Sequence, residues 1–122
     1  MIYAQVLNNT GGTAITSLAV GSGVSVYTQK VDTQRGLDSA LVLVIAGTIS
    51  VTQEVSIDGT NFYTPYDLGG RVSLGTIGSA LVTTGMYIAL NQVSSPVIAP
   101  YKRFVFQALS TSTISAYYLQ QE

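Results

Sequence analysis

The chain contains no cysteine and no histidine, and charged side chains make up only 9% of its 122 residues, against the roughly one quarter usual in soluble domains. Each shortage closes off a class of chemistry. Without cysteine there is no disulfide framework, no thiolate nucleophile and no cysteine-type zinc site. Without histidine the commonest general base and metal ligand is gone. Five basic and six acidic residues leave a formal net charge of -1, which offers no electrostatic footprint for nucleic acid or for an anionic membrane surface. The longest apolar run, Ala40 to Ala46, falls far short of the roughly 20 residues that a membrane-spanning helix needs. The amino terminus, Met1-Ile2-Tyr3-Ala4-Gln5-Val6-Leu7, has neither the basic region nor the long apolar stretch of a secretory signal and reads as a mature start.

What the chain does have is β-forming residues in short runs. Valine, isoleucine, threonine and tyrosine recur between glycine, asparagine, serine and proline, no window sustains a helical period, and the hydrophobic share of 47% calls for a buried core. The pattern predicts a single-domain, all-β fold, an antiparallel β-sandwich or small barrel of about seven or eight strands. Thr48 to Ile57 is the clearest strand: Ile49, Val51, Val55 and Ile57 share one face, Ser50, Thr52, Glu54 and Ser56 the other, and Gln53 alone breaks the rule. Before it, Leu41 to Ala46 is apolar at every position, as in a strand covered on both faces. With only Gly47 between them, the two read as a central hairpin.

Downstream, Asp58-Gly59 signals a tight turn leading into a strand from Asn61 to Tyr66. Asp67 to Gly70 reads as a loop, Gly85 to Asn91 as a strand, and Pro96 and Pro100 as brackets of a connection into a strand from Lys102 to Leu109. In that strand Phe104, Phe106 and Ala108 alternate with Arg103, Val105, Gln107 and Leu109. Ser110 to Ser112 makes a turn, and Thr113 to Leu119 is the last strand. Residues 1–26 are less regular and read as an arm or edge-strand segment, set against a sandwich domain over 27–122.

The surface implied by this composition is thinly guarded. No charged residue occurs between Met1 and Gln29, nor between Ser73 and Tyr101, whereas soluble sheet proteins usually protect strand edges with lysine, charge pairs or proline. Stretches this neutral suit an assembly component whose surfaces another chain covers.

Catalytic constellations are hard to build. A serine nucleophile would have only Lys30 or Lys102 as a base, and no Ser-x-x-Lys spacing or Gly-x-Ser-x-Gly elbow occurs. The carboxylates open to glycosidase chemistry are Asp32, Asp38, Glu54, Asp58 and Asp67. Asp58 is explained by its turn, Glu54 by the wet face of a strand, Asp32 and Asp38 by loops. Asp58 to Asn61 lacks the spacing of a calcium loop, and the glycines at 69–70 and 75–78 lack phosphate-binding spacing. The sequence therefore predicts no enzyme, no metal and no cofactor. The aromatics Phe62, Tyr63, Tyr66 and Tyr101, the last beside Lys102 and Arg103, suit either the core or a patch for sugar or protein contact.

Two segments carry a resemblance. Val31 to Thr48, followed by Val55-Ser56-Ile57-Asp58-Gly59-Thr60-Asn61-Phe62-Tyr63, and later Ala99-Pro100-Tyr101-Lys102-Arg103-Phe104-Val105-Phe106, resemble small virion proteins of tailed bacteriophages, in particular head decoration (cement) proteins. That resemblance implies a β-sandwich, often trimeric, that sits on the outer surface of the capsid and clamps neighbouring copies of the major capsid protein. The partners expected are the major capsid protein and further copies of the chain, with no nucleic acid and no membrane. The residues expected at the interface are Ile2, Tyr3, Ile15 and Leu18 from the amino-terminal segment, and Tyr63, Tyr66, Tyr101, Lys102 and Arg103. Deleting Met1 to Gly12 is then expected to weaken attachment without unfolding the domain. Two alternatives stand beside this reading: a tail, neck or fibre-attached module of the virion, and a carbohydrate-binding sandwich.

Overall fold

The computed structural model describes residues 2–32, 38–63, 66–67, 70–71, 80–91 and 99–121. Twelve strands run through them: β1 (Ile2–Val6), β2 (Leu18–Val20), β3 (Ser25–Tyr27), β4 (Val31–Asp32), β5 (Asp38–Ala46), β6 (Ile49–Ser56), β7 (Tyr66–Asp67), β8 (Gly70–Arg71), β9 (Ala80–Val82), β10 (Gly85–Asn91), β11 (Tyr101–Ala108) and β12 (Ser112–Gln121). The fold is an all-β sandwich of two antiparallel sheets, with no closed barrel. The first sheet has the order β1-β12-β5-β10, with β2 also on β12; the second has the order β3-β11-β6-β9, with β4 also on β11; β7 and β8 pair by themselves. The count exceeds the sequence expectation because β2, β3, β4, β7, β8 and β9 have only two or three residues each, too few to show an alternation.

The core lies between the sheets. Leu41, Leu43 and Ile45 of β5 and Ile114, Ala116 and Tyr118 of β12 meet Ile49 and Val51 of β6 and Phe104, Phe106 and Ala108 of β11. The two-residue strand period delivers these side chains to one face of each sheet. Full burial of each large aliphatic or aromatic one contributes roughly 1.5–3 kcal/mol.

The expected central hairpin of β5 and β6 does not form. β5 belongs to the first sheet and β6 to the second, so the Gly47–Thr48 link is a corner that carries the chain across the sandwich. The same end of the fold holds three more corners: β2 to β3, β9 to β10 and β11 to β12. They brace one another. Gly47 N donates to Thr84 Oγ1 at 3.0 Å, Thr48 N to Ser112 Oγ at 3.2 Å, Leu109 N to the Thr48 carbonyl at 2.9 Å and Gly23 N to the Ala108 carbonyl at 2.7 Å. Gly47 sits at φ +119°, and a Cβ there would lie 2.2 Å from Ser112 Oγ. Only glycine fits both the backbone and the space.

Two more local expectations are corrected. Asn61 and Phe62 do not belong to a strand, Tyr63 makes a single antiparallel bridge to Val55, Tyr66 opens β7, and residues 64 and 65 lie outside the described residues. Ile57 lies beyond the end of β6 and is 88% exposed, while Gln53 keeps the inward phase of Ile49 and Val51 and is buried. The expected strand over 85–91 coincides with β10, and those over 102–109 and 113–119 fall on β11 and β12. The glycines at 75 and 78, Pro96 and residues 33–37 lie outside the described residues.

The amino-terminal segment is woven into both sheets. β1 and β2 pair with β12 and β3 pairs with β11. Between β1 and β2 the chain is stitched in by Leu7 N to the Ala116 carbonyl (3.0 Å), Ala116 N to the Ile15 carbonyl (2.9 Å) and Ile15 N to the Leu7 carbonyl (2.8 Å). Leu7, Ile15 and Val20 are core residues. Residue 26 itself falls within β3.

Candidate interaction surfaces

Strand periodicity gives the first sheet a second apolar face. With Leu41, Leu43 and Ile45 turned inward, Ala40, Val42, Val44 and Ala46 of β5 turn outward. The register extends this across the sheet: Val42 lies opposite Tyr117 and Ile88, Tyr117 opposite Val6, Val44 opposite Ser115 and Met86, and Ala40 opposite Leu119 and Leu90. Val6 is 43% exposed, Val44 45% and Met86 65%, while Ala40 and Val42 are already covered. No charged side chain lies along these rows. Among residues with described side chains, the charged ones are Lys30, Asp32, Glu54, Asp58, Lys102 and Arg103, and all belong to the second sheet or to loops beside it. Asp38 opens β5 in the same phase as Ala40, Val42 and Val44, so the uncharged part of this face is the rows through Val6, Val42, Val44 and Met86.

The charged face is built around Arg103. In β11 it stands opposite Glu54 of β6, and its Nε donates to Glu54 Oε1 at 2.6 Å. Its guanidinium lies 4.5 Å from the ring centre of Phe62 and 5.0 Å from that of Tyr27, so cation–π attraction and the ion pair hold it in place. Lys30 Nζ lies 5.1 Å from the ring centre of Tyr101. A groove of about 430 Å³ runs between these groups, lined by Thr10, Thr28, Gln29, Lys30, Gly59, Phe62 and Arg103. Thr28 is buried and its Oγ1 accepts the Phe104 N–H at 2.9 Å.

Asp58 shapes the rim. Its Oδ1 accepts from Ser56 Oγ, Thr60 N and Asn61 N, and its Oδ2 from Asn61 Nδ2, all between 2.8 and 2.9 Å. Backbone donation from Asn61 and Thr60, aided by the two side chains, holds the carboxyl well below the usual carboxylate range. A group so fully ionised is unsuited to general-acid chemistry near neutral pH. Its oxygens face N–H and O–H donors, which is the geometry of a turn and not of a calcium loop.

The expected interface residues fall into distinct places. Tyr63 is 68% exposed, and Tyr101 and Arg103 are partly exposed on the charged face. Leu18 is half-buried against the core. Ile15 is fully buried and Lys102 is 2% exposed, so neither is available to a partner. For Ile2, Tyr3 and Tyr66 the strand position alone is described: Ile2 opposite Gln121, Tyr3 opposite Gln120, Tyr66 opposite Arg71. Lys102 has a plain cause: it shares the phase of Phe104, Phe106 and Ala108. Burial pushes its ammonium down to about 8. The period-two pattern already contained that placement. Sequence reading missed Tyr27, Glu54 and Lys30 as members of the Arg103 cluster, because their meeting depends on the pairing of β11 with β3 and β6. Comparison with protein-family models, with curated proteins and with solved structures gives no match to this chain.

Proposed function

We propose that this chain is a non-enzymatic structural component of a tailed-bacteriophage virion, a decoration protein that binds the outer surface of the head and reinforces contacts between major capsid subunits. The observation that supports this reading best is the exposed apolar cluster on the outer face of the first sheet, where Val6, Val44 and Met86 stand in rows without a charged residue, which suits a part that is covered in its working state. The sequence resemblance points the same way, towards self-association, with a trimer as the order it implies, and towards the major capsid protein as partner. The carbohydrate-binding alternative is less well served, because one face each of Tyr101, Tyr27 and Phe62 is already covered by a lysine or arginine side chain. Sugar stacking needs such faces open.

The test is co-sedimentation of purified protein with phage heads assembled without it. Retention on heads, with an increase in the temperature at which they open, is the expected result. Binding to isolated tails and not to heads would move the chain to the tail or neck reading, and binding to neither would remove the virion reading.

A further inference from the structure

We infer that the groove between Lys30 and Arg103 is a docking site for an acidic side chain, aspartate or glutamate, on an exposed segment of a partner protein. The inference rests on the reading of the chain as an assembly component and names the chemistry of the segment it grips. The lining is the first argument. The groove, of about 430 Å³, has two cations in its described lining, Lys30 and Arg103, and no carboxylate. Its volume falls in the range of roughly 300–1,000 Å³ typical of ligand sites. Glu54 accepts from Arg103 Nε, one of five guanidinium N–H donors, and the four on Nη1 and Nη2 are not needed for that bond. The Arg103 side chain is 25% exposed. Lys30 is exposed, and its ammonium passes beside Gly59, where a Cβ would lie 3.1 Å from Nζ. Asp58 places its oxygens on donors of its own turn. The rings of Tyr101, Tyr27 and Phe62 hold the two cations by their faces. A ring attracts a cation without adding a negative charge, so the positive charge is left for a partner to complement.

The surroundings of the groove are the second argument, and they select a protein. Acidic sugars need open ring faces, and here the cations cover them. Two cations on a chain of net charge -1 give no track for a polyanion. Exposed Ile57 (88%) and Tyr63 (68%) flank the turn that supplies Gly59 and Phe62, so apolar contact lies next to the charges. Arginine and tyrosine are the residue types that dominate protein interfaces. An acid seated at Lys30 and Arg103 gains charge-assisted hydrogen bonds and a fixed register.

The experiment is titration calorimetry of the full chain with a capped tetraglutamate peptide, with circular dichroism as a fold control. Saturable binding is expected at about 0.05 M NaCl, weakening at least fivefold at about 0.5 M. Lys30→Gln and Arg103→Gln are each expected to weaken it about five- to tenfold with an unchanged spectrum. Met86→Glu, which shifts the net charge by the same unit on the other sheet, is expected to bind as the wild type does. Absence of saturable binding, unchanged binding by Lys30→Gln, or an equal loss in Met86→Glu overturns the site. Tetragalacturonate or tetralysine binding as tightly as tetraglutamate overturns the assignment to an acidic protein segment. Head co-sedimentation reports separately on the virion reading: head retention without peptide binding removes the site and keeps that reading, and peptide binding without head retention does the reverse.

Discussion

Lys102 shows what a single residue costs when strand phase overrides polarity. Its neighbours Phe104 and Phe106 fix the inward phase of β11, and the ammonium is carried in with them. The folded state holds its proton only up to about pH 8, whereas in the unfolded chain the group titrates near 10.5. Between those values the unfolded chain binds more protons, so stability rises with pH across that window. The full shift corresponds to roughly 3 kcal/mol of strain present below pH 8. Tyr118 acts in the opposite sense at higher pH: burial raises its phenol above the usual 10, with the nearby Ser39 offsetting part of the shift. The unfolded tyrosine ionises first, so stability falls once pH passes 10. Denaturant titrations from pH 7 to 11 are therefore expected to rise through pH 9 and to show a maximum just above pH 10. Lys102→Met should be more stable at pH 7 by about 1–3 kcal/mol and lose the rising limb. A variant with an unchanged rising limb would assign the pH dependence elsewhere.

At the level of elements, the amino-terminal segment matters most. β1 covers the outer side of β12 over five register pairs, Ile2 to Val6 against Gln121 to Tyr117. Leu7, directly after it, fills the core. Removing Met1 to Gly12 deletes that pairing, opens the Leu7 site and strands the Ile15 N–H that Leu7 accepts. The expected result is a loss of at least about 3 kcal/mol, read as a lower denaturation midpoint. Full stability in the truncated protein would restore the picture of a separate arm. The corners obey the same logic: four crossings at one end, hydrogen-bonded to each other, convert sequence neighbours such as β5 and β6 into members of opposite sheets.

At the level of the whole molecule, the charged residues with described side chains gather on the second sheet and the loops beside it. Association through the exposed Val6, Val44 and Met86 would be apolar, so raising NaCl from about 0.05 to about 0.5 M is expected to leave any such self-association intact or tighten it, since salt screens charges and favours apolar burial. A mass that falls with salt would place the contact on the Arg103 and Lys30 face. The Arg103 cluster itself is positioned by three strands and one loop: β11 supplies the guanidinium, β6 its carboxylate, β3 one ring and the Asp58 turn leads to the other.

The all-β class, the turn at Asp58-Gly59 and strands β10, β11 and β12 were legible in the chain because alternation, β-branched residues and turn chemistry are local properties. Even the inward phase of Lys102 was implicit in the spacing of Phe104 and Phe106. The apolar character of β5 on both faces was also readable, though not that on its outer face Ala40 and Val42 are covered while Val44 is 45% exposed. Other features depended on tertiary structure: that β5 and β6 part company at Gly47, that Leu7 and Ile15 belong to the core, and that Tyr27, Phe62 and Glu54 converge on Arg103. Each arises from contacts between residues far apart in sequence, and a hydrophobic pattern specifies which face of a strand is buried but carries no record of which strand lies beside it.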